Sequence, residues 1–280
     1  MRVATLVALL LVTLATPASA QRRLDLVVHQ RVVGLIEPMG AEHALRIGLR
    51  GPLGDPRELL FTGAHVEVGA VNYTSPIDSM TGGYLAVSPI ALLVLRAELT
   101  ATAMWPIGMD GAGYYGAESY FADNDLRAER GRHARGWSFL VSATLQGAVP
   151  IGPLRLLMVD ELTLEHVTLG EADFHFDPRR DAVLARQDWV LGNRAMLLLE
   201  ARVEGSLLRL GAYHDLRFVP RSESLASQLG GMVALAVDAG PSVPELMPFL
   251  RMGAYTDGTR TGSFTLLGGV MVRYDVLRVR

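Results

Sequence analysis

The sequence predicts an all-β protein, a closed antiparallel up-and-down transmembrane β-barrel of about twelve strands. Three observations carry that expectation. Apolar and polar residues alternate over segments of roughly ten residues, the period of strands with one oily face. Hydrophobic residues make up 50% of the chain, yet past the amino terminus no run of about 18 apolar residues is long enough for a spanning helix. Turn-forming Gly, Pro, Asp and Ser separate the segments at regular intervals.

Residues 1–20 read as a signal peptide. Arg2 supplies the charged start, residues 3–14 the apolar stretch, and Ala18-Ser19-Ala20 a small-x-small cleavage site, with Pro17 stopping any longer helix. Removal after Ala20 leaves residues 21–280 as the barrel. The formal net charge is −3 and every one of the 26 basic residues is arginine; nothing in this balance points to nucleic acid. The chain has no cysteine, which excludes a disulfide framework, thiolate metal ligands and a cysteine nucleophile. No cofactor is expected.

Strands are predicted over 24–35, 43–50, 60–73, 80–88, 91–104, 136–149, 154–168, 188–200, 207–219, 226–237, 245–255 and 263–276. The clearest is 91–104, where Ala91, Leu93, Leu95, Ala97, Leu99, Ala101 and Ala103 oppose Arg96, Glu98, Thr100 and Thr102. Trp137, Phe139, Val141, Ala143 and Leu145 oppose Ser138, Ser142, Thr144 and Gln146 in the same way, and Phe264, Leu266, Val270, Val272 and Tyr274 oppose Thr265, Arg273 and Asp275. If the oily faces meet acyl chains, alternate residues suffice to span a bilayer. The enclosed face then collects Arg46, His65, Glu67, Arg96, Glu98, Glu161, Glu165, Arg194, Glu200, Arg209, Asp215, Arg251, Arg273 and Asp275, with both signs in similar number. Such a lumen fits either cross-lumen ion pairs or a narrow water-filled path for a small solute. Trp105, Trp137, Trp189, Phe218 and Phe264 share the parity of the oily face and fall at one end of the strands, as an interfacial aromatic girdle would.

Two positions break the pattern. In 154–168 the parity slips at Asp160-Glu161, which puts a carboxylate on the lipid face unless a β-bulge resets the register, so a bulge is expected near Asp160. His214 also falls on the oily face.

The run Leu267-Gly268-Gly269-Val270-Met271-Val272-Arg273-Tyr274 resembles the closing strand of bacterial outer-membrane barrels. Gly269, Val272 and Tyr274 match the glycine, hydrophobic and aromatic positions of that family's assembly signal. The resemblance implies outer-membrane lipid and the barrel-assembly machinery as partners, short periplasmic turns and longer outer loops. Short links near 88–89, 150–153, 202–206 and 238–243 do alternate with longer ones at 105–135, 169–187, 220–225 and 256–262, which would leave both termini periplasmic.

Barrel enzymes supply further comparisons. The outer-membrane phospholipase and one lipid A deacylase use a His-x-Ser pair, and none of the seven histidines here is followed two residues later by serine. The omptin proteases place an Asp-x-Asp pair and an Asp-x-His pair at the outer rim, which Asp123-Asn124-Asp125 and Asp173-Phe174-His175 resemble. Carried over, His175 would act as base, Asp173 as its orienting partner, and Asp123 and Asp125 as water-binding acids. Asp123, Asp125 and Glu129 also offer evenly spaced oxygen donors of the kind Ca²⁺ takes, without the glycine and full ligand set of an EF-hand loop. The loop that contains them, with Tyr114, Tyr115, Tyr120 and Phe121, is the longest in the chain. Three readings stand: a passive outer-membrane barrel, an enzyme at the outer rim, or a soluble barrel that turns its apolar face inward around a hydrophobic ligand.

Overall fold

In the computed structural model, which describes residues 24–36, 40–55, 57–106, 114–116, 132–237, 245–258 and 260–279, alternation decides the architecture. Each long segment is a strand, and each is hydrogen-bonded to its sequence neighbours until the last meets the first. The barrel strands are β1 (Leu24–Ile36), β2 (Gly40–Pro52), β3 (His65–Thr74), β4 (Asp78–Ile90), β5 (Leu93–Met104), β7 (Ala134–Ile151), β8 (Leu154–Leu169), β11 (Gln187–Val203), β12 (Ser206–Val219), β13 (Ser224–Ala236), β14 (Glu245–Asp257) and β15 (Phe264–Val279). All pairings are antiparallel, and β15 closes on β1. Three shorter strands, β6 (Tyr115–Gly116), β9 (Phe174–Asp177) and β10 (Ala182–Ala185), form a separate sheet in the order β10-β9-β6.

The oily residues point away from the barrel axis. Leu99 of β5 is 58% exposed, Leu162 of β8 56%, Leu210 of β12 59% and Phe264 of β15 57%, while the polar residues Glu98 and Thr100 of β5, Ser138 and Ser142 of β7, and Glu200 of β11 are buried. This outward apolar, inward polar arrangement contradicts the soluble-barrel reading, because a hydrophobic ligand would find charges inside. No helix among the described residues is long and apolar enough to cross a membrane; the crossing is made by strands joined in a closed hydrogen-bonded ladder.

Several expectations need correction. Strand β3 begins at His65, because residues 59–61 wind into a single 3₁₀ turn. The first third of the chain lies outside the alternation expected from residue 88 onward and is connected differently. There the link 75–77 is short and lies at the end that elsewhere carries the long loops, while the connection between β2 and β3 is longer and lies at the opposite end. The bulge expected at Asp160 is absent: Leu145↔Asp160 and Ala195↔Asp160 sit in unbroken register with β7 and β11. Asp160 therefore faces outward, where its carboxylate accepts a hydrogen bond from Asn193 Nδ2 at 2.6 Å. A second outward polar group offsets the first where the sequence pattern invited a change of register. His214 likewise stays outward, with its Nε2 3.1 Å from Ser227 Oγ. Register shifts occur elsewhere, at Leu26/Val27, Val87/Ile90 and Ser227/Gln228.

Glycine lets bulky lumen groups lie flat on the wall. A Cβ on Gly253 would come within 2.6 Å of the Tyr213 hydroxyl, so only hydrogen leaves room for that ring. Tyr213 in turn lies beneath Arg251, whose Cζ is 3.8 Å from the ring centroid, close enough for a cation–π contact.

Candidate functional site

The connection between β8 and β11 does not stand out in solvent; it turns back into the barrel. Strands β9 and β10 form a hairpin with its turn at 178–181. Asp177 builds that turn: its Oδ1 accepts the backbone N–H of Arg179 and Arg180 at 3.0 and 3.1 Å, the Asx pattern that Asp favours. Asp181 closes the turn with φ 50, a left-handed conformation that Asp tolerates better than most residues.

The hairpin is held by an oily contact and an ionic one. Leu184 is wholly buried and Ala182 nearly so, packed with Met104, Val167, Leu169, Val190 and Val219 at the long-loop end of the wall. Burial of one such leucine contributes roughly 1.5–3 kcal/mol. At the tip, Arg179 makes two 3.0 Å bonds to the Asp78 carboxylate of β4 and a third to Glu42 of β2. Its guanidinium also lies over the Tyr73 ring, 5.6 Å from the centroid. Arg180 turns to the other wall: its Nε donates to Glu165 of β8 at 2.9 Å, its Nη2 bonds the same carboxylate, and its Nη1 donates to Asp177 at 2.5 Å. Arg217 of β12 donates to the carbonyl oxygens of both tip arginines at 3.2 and 3.0 Å, and Arg260 donates to Asp181 at 2.9 Å. Five barrel strands or their loops thus grip one four-residue turn.

Charge states follow from these partners. Burial works to raise the Asp177 carboxyl, but the Arg180 guanidinium outweighs it and holds the group below the usual carboxylate range. Burial likewise works against charge on Arg180, and Asp177 with Glu165 more than offset it. His175, on the same hairpin, has no such compensation. Its side chain is wholly buried, neither ring nitrogen has a hydrogen-bond partner, and burial pushes its pKa down, with Asp177 opposing in part. Tyr114 packs against it, ring centroids 5.1 Å apart, and the Tyr114 hydroxyl accepts the Ala172 N–H at 3.0 Å. Through Tyr114 and β6 the longest loop is tied onto the hairpin.

Below the tip the predicted lumen residues form ion-pair clusters. Tyr73 accepts from Arg96 at 2.9 Å and donates to Glu98 at 3.0 Å, while Arg46 reaches the same hydroxyl at 3.3 Å. On the facing wall Arg194 bonds Asp215 at 3.0 Å and lies 3.8 Å from Glu161, with Arg251 3.5 Å from Asp215. Glu200 sits between Arg155 at 3.0 Å and Arg209 at 2.9 Å. Glu67 takes Arg50 at 2.7 Å and Tyr84 at 2.5 Å. His65 lies apart near the other end, its Nδ1 2.7 Å from Gly63 O; it and Glu67 do not form a ligand pair. Among the described residues, one cavity of about 210 Å³ lies directly under the tip and another of about 320 Å³ lies against β1, β2, β14 and β15.

Of the other singled-out positions, Trp137 and Trp189 are 44% exposed on the outer wall and flank His166, and Phe218 and Phe264 point outward with them. Trp105 is half-buried and donates from Nε1 to Pro76 O at 2.9 Å. Asp173 is exposed while His175 is enclosed, so the proposed base and its partner are not assembled into one site. Asp123, Asp125, Glu129, Tyr120, Phe121 and residues 1–20 lie outside the described residues, as do the side chains of Tyr115 and Asp275. Among the described residues, no group of three His, Asp or Glu side chains is placed to hold a metal ion. The sequence reading missed Arg179, Arg180, Asp78, Glu42 and Arg217, the residues that make the tip cluster.

A closed twelve-stranded barrel with its oily face outward and its ion pairs inside settles the class. The fold is that of a bacterial outer-membrane β-barrel. No protein-family model and no curated protein matches the chain. Among solved structures, the chain is similar to LpxR from Salmonella typhimurium at 10% identity, with 88% of this chain and 99% of that one covered and a TM-score of 0.47. The beta domain of the Bordetella autotransporter BrkA aligns at 11% identity over 90% and 98%, TM-score 0.46. The transport unit of the autotransporter AIDA-I from Escherichia coli aligns at 10% over 92% of each chain, TM-score 0.40. Likeness at this level gives no function to the barrel.

Proposed function

We propose that this chain is an outer-membrane barrel of the passive type, a narrow pore kept closed by its own β9–β10 hairpin. The observation that carries the reading is the two-sided grip on Arg179 and Arg180, which holds the tip across the lumen between β2 and β4 on one wall and β8 on the other. Ion pairs of both signs line what remains. A ring of one sign would favour one permeant ion strongly; a mixed lining supports pairing and slow, weakly selective passage.

The same reading assigns Trp105, Trp137, Trp189, Phe218 and Phe264 to the outer interface. It takes residues 1–20 as a signal peptide removed after Ala20, and Gly269, Val272 and Tyr274 as the assembly signal. The long loops then lie outside the cell and the hairpin closes the outer mouth. An enzyme of the omptin kind gains no support from a buried, unpartnered His175 beside an exposed Asp173.

The test is the mature chain in planar bilayers. Long closed periods with rare, small current steps are expected. Steady wide-open conductance in the unmodified protein would overturn the proposal.

A further inference from the structure

In two rows of the lumen, charges alternate across neighbouring strands. The row Glu161, Arg194, Asp215 runs through β8, β11 and β12, and the row Arg155, Glu200, Arg209 runs through the same strands lower down. A third row differs: Arg46, His29 and Arg273 stand side by side on β2, β1 and β15, with no acid among the three. The next row up is Ala44, Arg31, Met271 and Met247. Small Ala44 there leaves space, and the two rows line the cavity of about 320 Å³.

Two arginines of this alcove are incompletely engaged. Arg31 bonds Glu42 through Nη2 at 2.7 Å, but its Nε is buried without a partner. Arg46 makes only long contacts, 3.3 Å to Tyr73 and 3.8 Å to Glu98. His29 Nε2 lies 3.4 Å from Arg50 and 3.8 Å from Glu67. Glu245, exposed and paired in register with Arg273, is the acid of the lining, against Arg31, Arg46 and Arg273. Met247 and Met271 supply an apolar flank.

We propose that this alcove is a binding site for a small organic carboxylate. The carboxylate lies between Arg31 and Arg46, and its short carbon stem lies on the two methionines. The site rests on the reading of the lumen as water-filled from the short-turn end.

The experiment is calorimetric titration of the full-length folded barrel in detergent at low ionic strength, with butyrate, butyramide and inorganic phosphate. Saturable binding of butyrate is expected; butyramide is at least about tenfold weaker through the loss of one charge-assisted contact, and phosphate is weaker because it has no carbon stem to lie on the methionines. Met271→Glu adds a carboxylate without removing any ion pair and abolishes binding; Arg46→Gln weakens it about tenfold, by the same contact arithmetic. Each variant is scored only after it shows the heat-dependent gel mobility of the folded barrel, and Met271→Glu stands alone if Arg46→Gln does not fold. No saturable heat, equal binding of butyramide or phosphate, or unchanged affinity in Met271→Glu overturns the site. Binding is read without current, so an open-channel result in bilayers would remove the closed-pore reading and leave the alcove standing.

Discussion

Arg180→Met is the sharpest perturbation of the closed state. The substitution keeps most of the side-chain volume and removes the guanidinium that joins Glu165 on the wall to Asp177 in the turn. Arg180 is 6% exposed and Asp177 is wholly buried, so the variant leaves two carboxylates facing each other with no cation between them. Removal of one partner from a buried pair costs roughly 3–5 kcal/mol. The cost falls on docking of the hairpin, because the barrel ladder itself is untouched. At about 1.4 kcal/mol per decade, the open population rises roughly 10²- to 10³-fold or more. In planar bilayers the expected trace changes from rare small steps to long open periods, while the barrel keeps its heat-dependent gel mobility. The triple variant Arg180→Met, Asp177→Asn, Glu165→Gln removes the stranded charges as well and returns much of the closed behaviour, a non-additivity expected of groups in one network. If Arg180→Met is as closed as the unmodified protein, the tip cluster is not what shuts the lumen.

Acid weakens the hairpin through His175. Its docked pKa lies below 6.5, its value when released, so the released form takes up a proton that the docked form refuses. Docking stability is complete above about pH 6.5 and falls as pH drops below it, until the depressed docked value is passed; hydrogen-exchange protection of residues 174–185, taken relative to the intrinsic rate at each pH, should fall from pH 7.5 to 5.5, and His175→Phe should abolish that dependence. Asp177 is shifted downward as well, so it too weakens docking as pH falls, but only in stronger acid, where its carboxylate begins to protonate. Asp160→Leu with Asn193→Val removes the outward polar pair and should stabilise the barrel in lipid vesicles by about 1–2 kcal/mol, measured by urea unfolding; destabilisation would mean that the pair meets a polar partner in the membrane wall.

The barrel was legible because its determinant is short-range. Parity along each strand says which side faces lipid, and antiparallel neighbours must agree in parity, so twelve segments reinforce one another. Leu95, Leu99, Trp137, Phe139 and Phe264 could be placed outward from their own neighbours in sequence. Asp160 shows where that logic overreaches: a parity slip can be absorbed by a register change or by a second polar residue. The choice depends on Asn193, 33 residues away and invisible to a reading of β8 alone.

The hairpin was illegible for the complementary reason. Residues 174–177 and 182–185 are each four residues long, too short for periodicity to tell a strand from a loop, and the intervening Pro178-Arg179-Arg180-Asp181 has the composition of a solvated turn. What makes it a plug is the fit of Arg179 and Arg180 to carboxylates more than 100 and 15 residues distant, on β4 and β8. A local clue was nonetheless present: Ala182-Val183-Leu184-Ala185 is an unbroken apolar run directly after four polar or turn-forming residues, and all four of its members are buried. A loop that ends outside in water has no reason to carry such a run. A run of that kind in a long barrel loop marks a segment that packs against something, and in a barrel whose outer face belongs to lipid the remaining surface is the inside of the wall.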